Sequence, residues 1–157
     1  MLDFEASLGT GPGEAARFFF NDLAQANSAA GADVVRAGEL SPAEIPRCSS
    51  DAGTLHGLLV GVQSVAKRRG RDYKDGPQGD LVLIHLASLR FPERGTDLLI
   101  SLNTSFEACG GRGGDGGGAP TGLAGVVPEE VLGRAGQLFR QILATFEVRD
   151  WSLLVGS

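Results

Sequence analysis

The sequence is poor in the residue types that build disulfides, metal centres and many catalytic sites. Among 157 residues there are two cysteines, two histidines, one tryptophan and one tyrosine. Cys48 and Cys109 lie in different segments, and they fit neither a disulfide framework nor the spacing of metal ligands. We therefore predict two free thiols in a reducing compartment.

Long apolar runs and an excess of positive charge are also absent from the sequence. No apolar run approaches the length that spans a membrane, and the first residues lack the basic and then apolar order of a secretory signal. The formal net charge is −5 and the pI is about 5.0, a balance that disfavours binding to nucleic acid or to anionic lipid. We expect a soluble, intracellular chain whose partners are proteins.

One short basic cluster departs from this acidic balance. Residues 67–71 read KRRGR. Such a cluster is compatible with a nuclear address, with a phosphate-binding patch or with a solvated loop, and the solvated loop is the commonest of the three.

Glycine, by contrast, is abundant and concentrated in one segment. The chain has 24 glycines, and residues 109–122 read CGGRGGDGGGAPTG. Gly111 to Gly116 match the G-x-G-x-x-G spacing of dinucleotide-binding loops, but in those loops the glycines join a strand directly to a helix. Here the next helical pattern begins only near Pro128. We interpret residues 109–122 as a flexible surface insert in a single domain spanning residues 1–157, and a phosphate-handling enzyme that uses this insert is the least favoured function.

Alternating and β-favouring residues predict a domain rich in sheet. Residues 17–23, with three consecutive phenylalanines, and residues 34–35 are predicted as strands. Residues 55–68 predict a long strand that is bulged near Gly57 or Gly61. Residues 80–91 and 96–106 predict an antiparallel hairpin. Both faces of its first strand are apolar, as in a central strand covered on two sides.

Two helices and a terminal extended segment complete the predicted structure. Ser41 to Glu44 has the form of a capping box with proline at the first helical position, and Pro46 limits that helix to about one turn. Apolar residues recur at helical spacing from Val131 to Phe146, after two acidic residues that favour a helix N-terminus. Residues 146–156 predict a short strand or an extended tail.

The titratable residues give little support for catalysis. Neither histidine has further ligands at metal-binding spacing, and His85, midway along an apolar strand, is interpreted as a hydrogen-bonded core residue rather than a catalyst. His56 stands at a strand entrance, and no nucleophile elbow or P-loop lysine is present. Asp3 and Glu5 alternate with apolar neighbours, so they share one face of an extended segment. An exposed polar face, a general acid–base pair and a protein-binding face are the three interpretations of that pair.

The order of four segments carries a resemblance to a known family. The segments are GEAARFFFNDLAQANSA, VVRAGELSPAEIP, GLLVGVQSVAKRR and, most specifically, HLASLRFPERGTDLLISLN. Together they resemble the Ran guanine nucleotide release factors, the Mog-type Ran-binding proteins. That family's Leu-Arg-Leu-Pro and Thr-Asp-Leu-Leu motifs correspond here to residues 89–92 and 96–99, followed by Asn103. Its Gly-x-Gln-x-x-Ala-Lys segment corresponds to residues 61–67, and Arg149-Asp150-Trp151 fits its C-terminal end.

The resemblance implies a fold, a partner and a cellular role. The family fold is α+β, an α/β/α sandwich in which a curved, mainly antiparallel sheet is flanked by helices, and it is shared with the PsbP photosystem proteins. The implied protein is a non-catalytic monomer without a cofactor that binds the small GTPase Ran. It promotes guanine nucleotide release and supports protein import into the nucleus, acting in the nucleus and the cytoplasm. The alternative is a PsbP-like structural or assembly module without a GTPase partner.

The resemblance covers only the later part of the family domain. Family members begin with a further segment that contains Phe-Gly-Gly and then Val-Pro-Asp-Asn-Gln-Glu, and neither occurs in this sequence. We therefore expect an N-terminally truncated domain, in which Met1 is an internal methionine of a longer protein. Acidic residues of that further segment are among those with which the family contacts Ran. Asp3 and Glu5, at the acidic start of this chain, are the candidate partner-binding residues.

Overall fold

Four antiparallel strands form one sheet whose strand order follows the chain, with a helix on each face. The strands are β1 (Ala29–Glu39), β2 (His56–Val65), β3 (Asp80–Phe91) and β4 (Thr96–Phe106), and the helices are α1 (Pro12–Ala26) and α2 (Glu129–Thr145). The protein is represented by a computed structural model, which describes residues 11–48, 56–65, 80–91, 94–107 and 122–154. These elements confirm the predicted α+β class and the antiparallel sheet flanked by helices.

The third strand, β3, is covered on both faces. Its residues from Leu83 to Leu89 are all buried, and successive side chains of a strand point to opposite faces. Ile84 and Leu86 pack against α1, whereas Leu83 and Ala87 lie on the side of α2. The predicted central strand with two apolar faces is therefore confirmed, as is its antiparallel hairpin with β4.

The first helix stands where the sequence predicted a strand. Residues 17–23 lie within α1, so that prediction is wrong. Three consecutive phenylalanines favour a strand locally. However, Ala16, Phe20 and Leu23 recur at helical spacing and form one apolar face. Ala16 and Phe20 are buried against the sheet, and this tertiary burial outweighs the local preference. A proline and an acidic residue in the first turn also suit a helix N-terminus.

The bulge that we predicted in β2 lies in β1 instead. The register of the two strands shifts between Val34 and Arg36, at the position that faces Gly61. A methyl group added to Gly61 would lie 2.5 Å from the Phe20 ring. Gly61 is thus required because the ring of α1 rests on the backbone of β2, not because β2 itself is bulged.

The predicted second helix and the short capped turn are both present. α2 begins after Pro128 with two acidic residues in its first turn, and it buries Ala135, Phe139 and Leu143. After β1, Pro42–Glu44 forms one 3-10 turn with a complete capping box. The Ala43 N–H donates to Ser41 Oγ at 3.3 Å, and the Ser41 N–H donates to Glu44 Oε2 at 3.0 Å. Both predictions rested on local patterns, and both are confirmed.

The C-terminal segment is a 3-10 turn, Trp151–Leu154, and not the strand or extended tail that we predicted. Side chains near the β3–β4 turn bind its carbonyl groups: Arg94 Nη1 donates to the Trp151 carbonyl at 3.1 Å, and Thr96 Oγ1 donates to the Leu154 carbonyl at 2.8 Å. The Trp151 ring also lies edge-on to Phe91 at 5.2 Å and under the Arg94 guanidinium at 4.9 Å. These contacts hold the end of the described chain on the hairpin.

Several predicted features lie outside the described residues. They are Asp3 and Glu5, the basic cluster at residues 67–71, Cys109, and the glycine-rich segment 109–122 apart from its last residue. Within the described part of the chain, no helix is long and apolar enough to cross a membrane.

Replacing Gly61 with alanine tests the contact between α1 and the sheet. Because the added methyl group would overlap the buried Phe20 ring, we expect Gly61→Ala to lower the free energy of unfolding by about 1–3 kcal/mol. Gly38→Ala is the matched control in β1, since its methyl group meets no atom within 4 Å, and it should change stability by less than about 0.5 kcal/mol. Urea unfolding measures both, and equal stabilities of the two variants would contradict the contact.

Candidate partner-binding surface

The motifs that resemble the family contain two groups of residues: some have side chains bonded to other parts of the fold, and others have side chains without such bonds. Gln63 belongs to the first group. Its side chain is completely buried in β2. Nε2 donates to the Phe20 carbonyl at 3.2 Å, and Oε1 accepts from Asn27 Nδ2 at 3.1 Å. A buried amide without such bonds would destabilise the fold, so Gln63 both requires α1 and fixes it to the sheet.

Arg90 and Asp97 are a second pair with a structural role. They face each other across β3 and β4, and Arg90 Nε donates to Asp97 Oδ1 at 3.3 Å. Both side chains are about one-fifth exposed, which limits screening by solvent relative to a surface pair. Together with Gly61 and Trp151, these residues hold the elements of the fold in place.

Leu99 and Asn103 belong to the second group, and they lie on one face of β4. Ser101 and Ser105 share that face by strand alternation, and all four side chains are exposed. Since Asn103 faces Ile84 in the register, this is the face of the sheet on which α1 lies. Within the described part of the chain these side chains form no hydrogen bond or ion pair with other residues. We call these four side chains the β4 outer face.

The β4 outer face combines one apolar side chain with neutral polar groups. Leu99 is 43 % exposed, and hydroxyl and amide groups follow it, each able to donate and to accept hydrogen bonds. A single exposed leucine is ordinary on a protein surface. What distinguishes Leu99 and Asn103 is that the motifs include them although their side chains form no hydrogen bond or ion pair among the described residues. β4 also ends the sheet order on this side, so among the described residues its outer edge is unpaired, as in sheets that accept a partner strand.

The β4 outer face was not predicted from the sequence. The candidates from the sequence, Asp3 and Glu5, lie outside the described residues. The available signal was the alternation of residues 96–106, which predicted the strand and also places small polar residues on one of its faces.

The two histidines are both buried. Each is 2 % exposed, which confirms the prediction of a core position for His85. The hydrogen bonding predicted for His85 is not found at its Nδ1, which has no partner among the described residues, and both ring nitrogens of His56 lack one there as well. Burial, and then the charges of Arg36 and Arg140, lower the pKa of His85 to about 4, while burial lowers the pKa of His56. Both rings are therefore neutral near pH 7.

Two further observations concern possible chemistry. Cys48 is buried, and burial raises the pKa of its thiol, which makes it a poor nucleophile. Within the described ranges, no group of three or more histidine, cysteine, aspartate and glutamate side chains could hold a metal ion.

Acid unfolding tests the neutral state of His85. As the pH falls from about 6.5 towards 4, the unfolded chain takes up a proton on this residue that the folded chain does not, so stability falls with pH. We expect His85→Leu to be at least as stable as the parent at pH 7 and to remove up to about 3 kcal/mol of this acid loss. His56 and the carboxylates supply the remainder. If the parent and the variant lost the same unfolding free energy between pH 6.5 and 4, His85 would not be the buried neutral group described here.

Comparison with known proteins identifies the family. The family model described as the Ran-interacting Mog1 protein matches residues 5–105. No curated protein matches the sequence. The matched range includes α1, β1, β2, β3 and the whole β4 outer face, and it is well over half of the 157 residues. The chain therefore belongs to the Mog1 family of Ran-interacting proteins.

Proposed function

We propose that this protein binds the small GTPase Ran, promotes release of its guanine nucleotide and thereby supports protein import into the nucleus. The observation that carries the proposal is the match of residues 5–105 to a family named for its interaction with Ran. That range contains a helix packed on a four-stranded sheet, with one strand face left exposed. This role operates in the nucleus and the cytoplasm.

The proposed mechanism is thermodynamic linkage rather than bond chemistry. A protein that binds nucleotide-free Ran more tightly than nucleotide-bound Ran must weaken nucleotide binding by the same factor. Such a mechanism needs a complementary surface and no acid, base or nucleophile. The buried neutral histidines and the buried thiol of Cys48 fit that requirement.

The β4 outer face is the proposed contact with Ran. Leu99 supplies an apolar contact, and the neighbouring hydroxyl and amide groups supply hydrogen bonds at its rim. The leucine, serine and asparagine side chains of this face are short, and they lose less conformational entropy on binding than lysine or glutamate would. An interface of this kind is neutral, so salt should change its affinity only slightly.

Asp3 and Glu5 are the proposed electrostatic part of the same interaction. Carboxylates on an acidic chain of net charge −5 attract a basic partner surface and increase the rate of encounter. This contribution is expected to fall with ionic strength, unlike that of the β4 outer face. The two proposed contacts can therefore be measured separately.

Alanine substitutions on β4 test the contact surface. We expect Leu99→Ala and Asn103→Ala each to weaken binding to Ran by about fivefold or more, because each removes about 1 kcal/mol of interface contact. Leu138→Ala in α2 is the matched control, since this leucine is similarly exposed, at 49 %, and its helix lies on the opposite face of the sheet. Binding is measured with Ran loaded with a fluorescent guanine nucleotide, together with the rate of nucleotide release. The surface assignment fails if Leu138→Ala weakens binding as much as Leu99→Ala.

Neutralising the acidic pair tests the electrostatic part. We expect Asp3→Asn with Glu5→Gln to lower the association rate with Ran at low salt by about threefold or more, and to have a smaller effect near 0.5 M salt. Glu14→Gln with Asp22→Asn in α1 removes the same charge from two exposed residues and serves as control. Equal effects of the two double variants would point to net charge alone. If the unsubstituted chain neither bound Ran nor released its nucleotide, the proposed function would be wrong and a PsbP-like structural role would replace it.

A further inference from the structure

Two arginines flank a buried histidine on the sheet face covered by α2. Arg36 in β1 faces Val60 in β2, and Val60 faces His85 in β3, so the three form one cross-strand row. Neighbouring strands are about 4.8 Å apart, and cross-strand partners share a face. Arg36 and His85 therefore point to the same side of the sheet, two strands apart.

Arg140 approaches the same histidine from α2. A methyl group placed on Gly136 would lie 3.6 Å from His85 Nε2 and 3.9 Å from Arg140 Nη2. The two nitrogens thus face one small space beside the helix, which exists because residue 136 has no side chain. Arg36 and Arg140 both act electrostatically on the imidazole, since the charges of both lower the pKa of His85.

The three groups also lack partners among the described residues. Four other described arginines pair with carboxylates: Arg47, Arg90, Arg134 and Arg149. Within the described ranges, neither Arg36 nor Arg140 forms an ion pair or a hydrogen bond. His85 is 98 % buried, and its Nδ1 is unpartnered there as well. Both arginines are exposed, so an anion that approaches from solvent meets two guanidinium groups that no described carboxylate occupies.

Space for such an anion is present next to α2. An open depression of about 480 Å³ runs along the helix, lined by Gly133, Gln137, Arg140, Gln141 and Ala144. Arg140 belongs both to this depression and to the space beside His85. Glycine and alanine on this side of the helix leave it accessible, and the side-chain amides of two glutamines add hydrogen-bond donors.

We propose that Arg36, His85 and Arg140 bind a phosphate group. A phosphate monoester carries close to two negative charges and three terminal oxygens. Two guanidinium groups match that charge and bind its oxygens in bidentate fashion, and a neutral imidazole donates one further N–H. A single carboxylate would balance only one of the two arginines. Free phosphate, a phosphorylated metabolite and a phosphorylated side chain of a partner protein share this chemistry.

The phosphate site is separate from the β4 outer face. The β4 outer face lies on the α1 side of the sheet, whereas Arg36, His85 and Arg140 lie on the α2 side. Phosphate binding and Ran binding can therefore be lost independently, and failure of one proposal leaves the other intact.

Inorganic phosphate, titrated into the full chain at constant ionic strength, is the direct probe. The chain has only two histidines, so their side-chain NMR resonances report on two known places. We expect the His85 resonances to shift and saturate and those of His56 to remain in place. His56 pairs with Leu89, four residues along β3 from His85, and it packs beside Phe91. Equal shifts of both histidines, or shifts that never saturate, would overturn the proposal.

Arginine variants test the same site without disturbing the core. Arg36→Gln and Arg140→Gln change exposed residues, and each should weaken phosphate binding by about tenfold or more. Arg17→Gln on the exposed side of α1 is the matched control and should leave the affinity unchanged. Unchanged affinity in both Arg36→Gln and Arg140→Gln would refute the site.

Two further probes identify the source of the phosphate. Tighter binding of a phosphoserine peptide than of inorganic phosphate would support the site and assign it to a phosphorylated partner. Tighter binding of a small phosphate monoester such as glycerol phosphate would support the site and assign it to a metabolite. Failure of all three probes to shift His85 would contradict the proposal.

Discussion

The packing of Phe20 on Gly61 is the contact on which the rest of the structure depends. The aromatic ring of α1 rests on bare backbone of β2, and two positions further along β2 the buried amide of Gln63 binds the carbonyl of the same phenylalanine. The apolar contact sets the distance between helix and sheet, and the hydrogen bond sets the position of the helix along the strand. A side chain at position 61 would overlap the Phe20 ring, and Gln63 without the Phe20 carbonyl would leave a buried amide unsatisfied.

Fixing α1 over the first three strands has a consequence at the edge of the sheet. The helix buries Leu59, Ile84 and Leu86, but the next strand in the order presents exposed side chains on the same face. The fold thus produces a solvent-facing strip of sheet as a direct result of where its first helix lies. On the other face, α2 covers β3 and the apolar side of β4 and buries Phe139 and Leu143 with them. The proposed Ran-binding surface and the proposed phosphate site therefore lie on opposite faces of the sheet.

Local patterns in the sequence predicted much of this fold. The β3–β4 hairpin, α2 and the capped turn after β1 each depend on residues close in sequence, and each is found as expected. We predicted a strand in place of α1 because three phenylalanines favour strands locally. The helical spacing of Ala16 and Phe20 stabilises the helix only when both side chains are buried against the sheet. The C-terminal turn depends on Arg94 and Thr96, which are distant in sequence, so no local pattern could indicate it.

The sites were harder to predict than the elements. Strand alternation placed small polar residues on one face of β4, but exposure of that face depends on how far α1 reaches, which is a tertiary property. The site around His85 draws one arginine from β1 and another from α2, and the sequence spacing of these residues carries no recognisable pattern. The family-like motifs, in turn, consist largely of residues that hold the fold, such as Gly61, Gln63 and Arg90. They therefore identify the family more directly than they identify its surface.

Hydrogen exchange of the chain, alone and with Ran, tests the central claim most directly. We predict that amides of residues 96–106 gain protection when Ran is bound, while those on the exposed side of α2 do not, because the proposed contact is on β4 and α2 lies on the opposite face. A complex in which α2 is protected and residues 96–106 exchange as in the free chain would contradict the account.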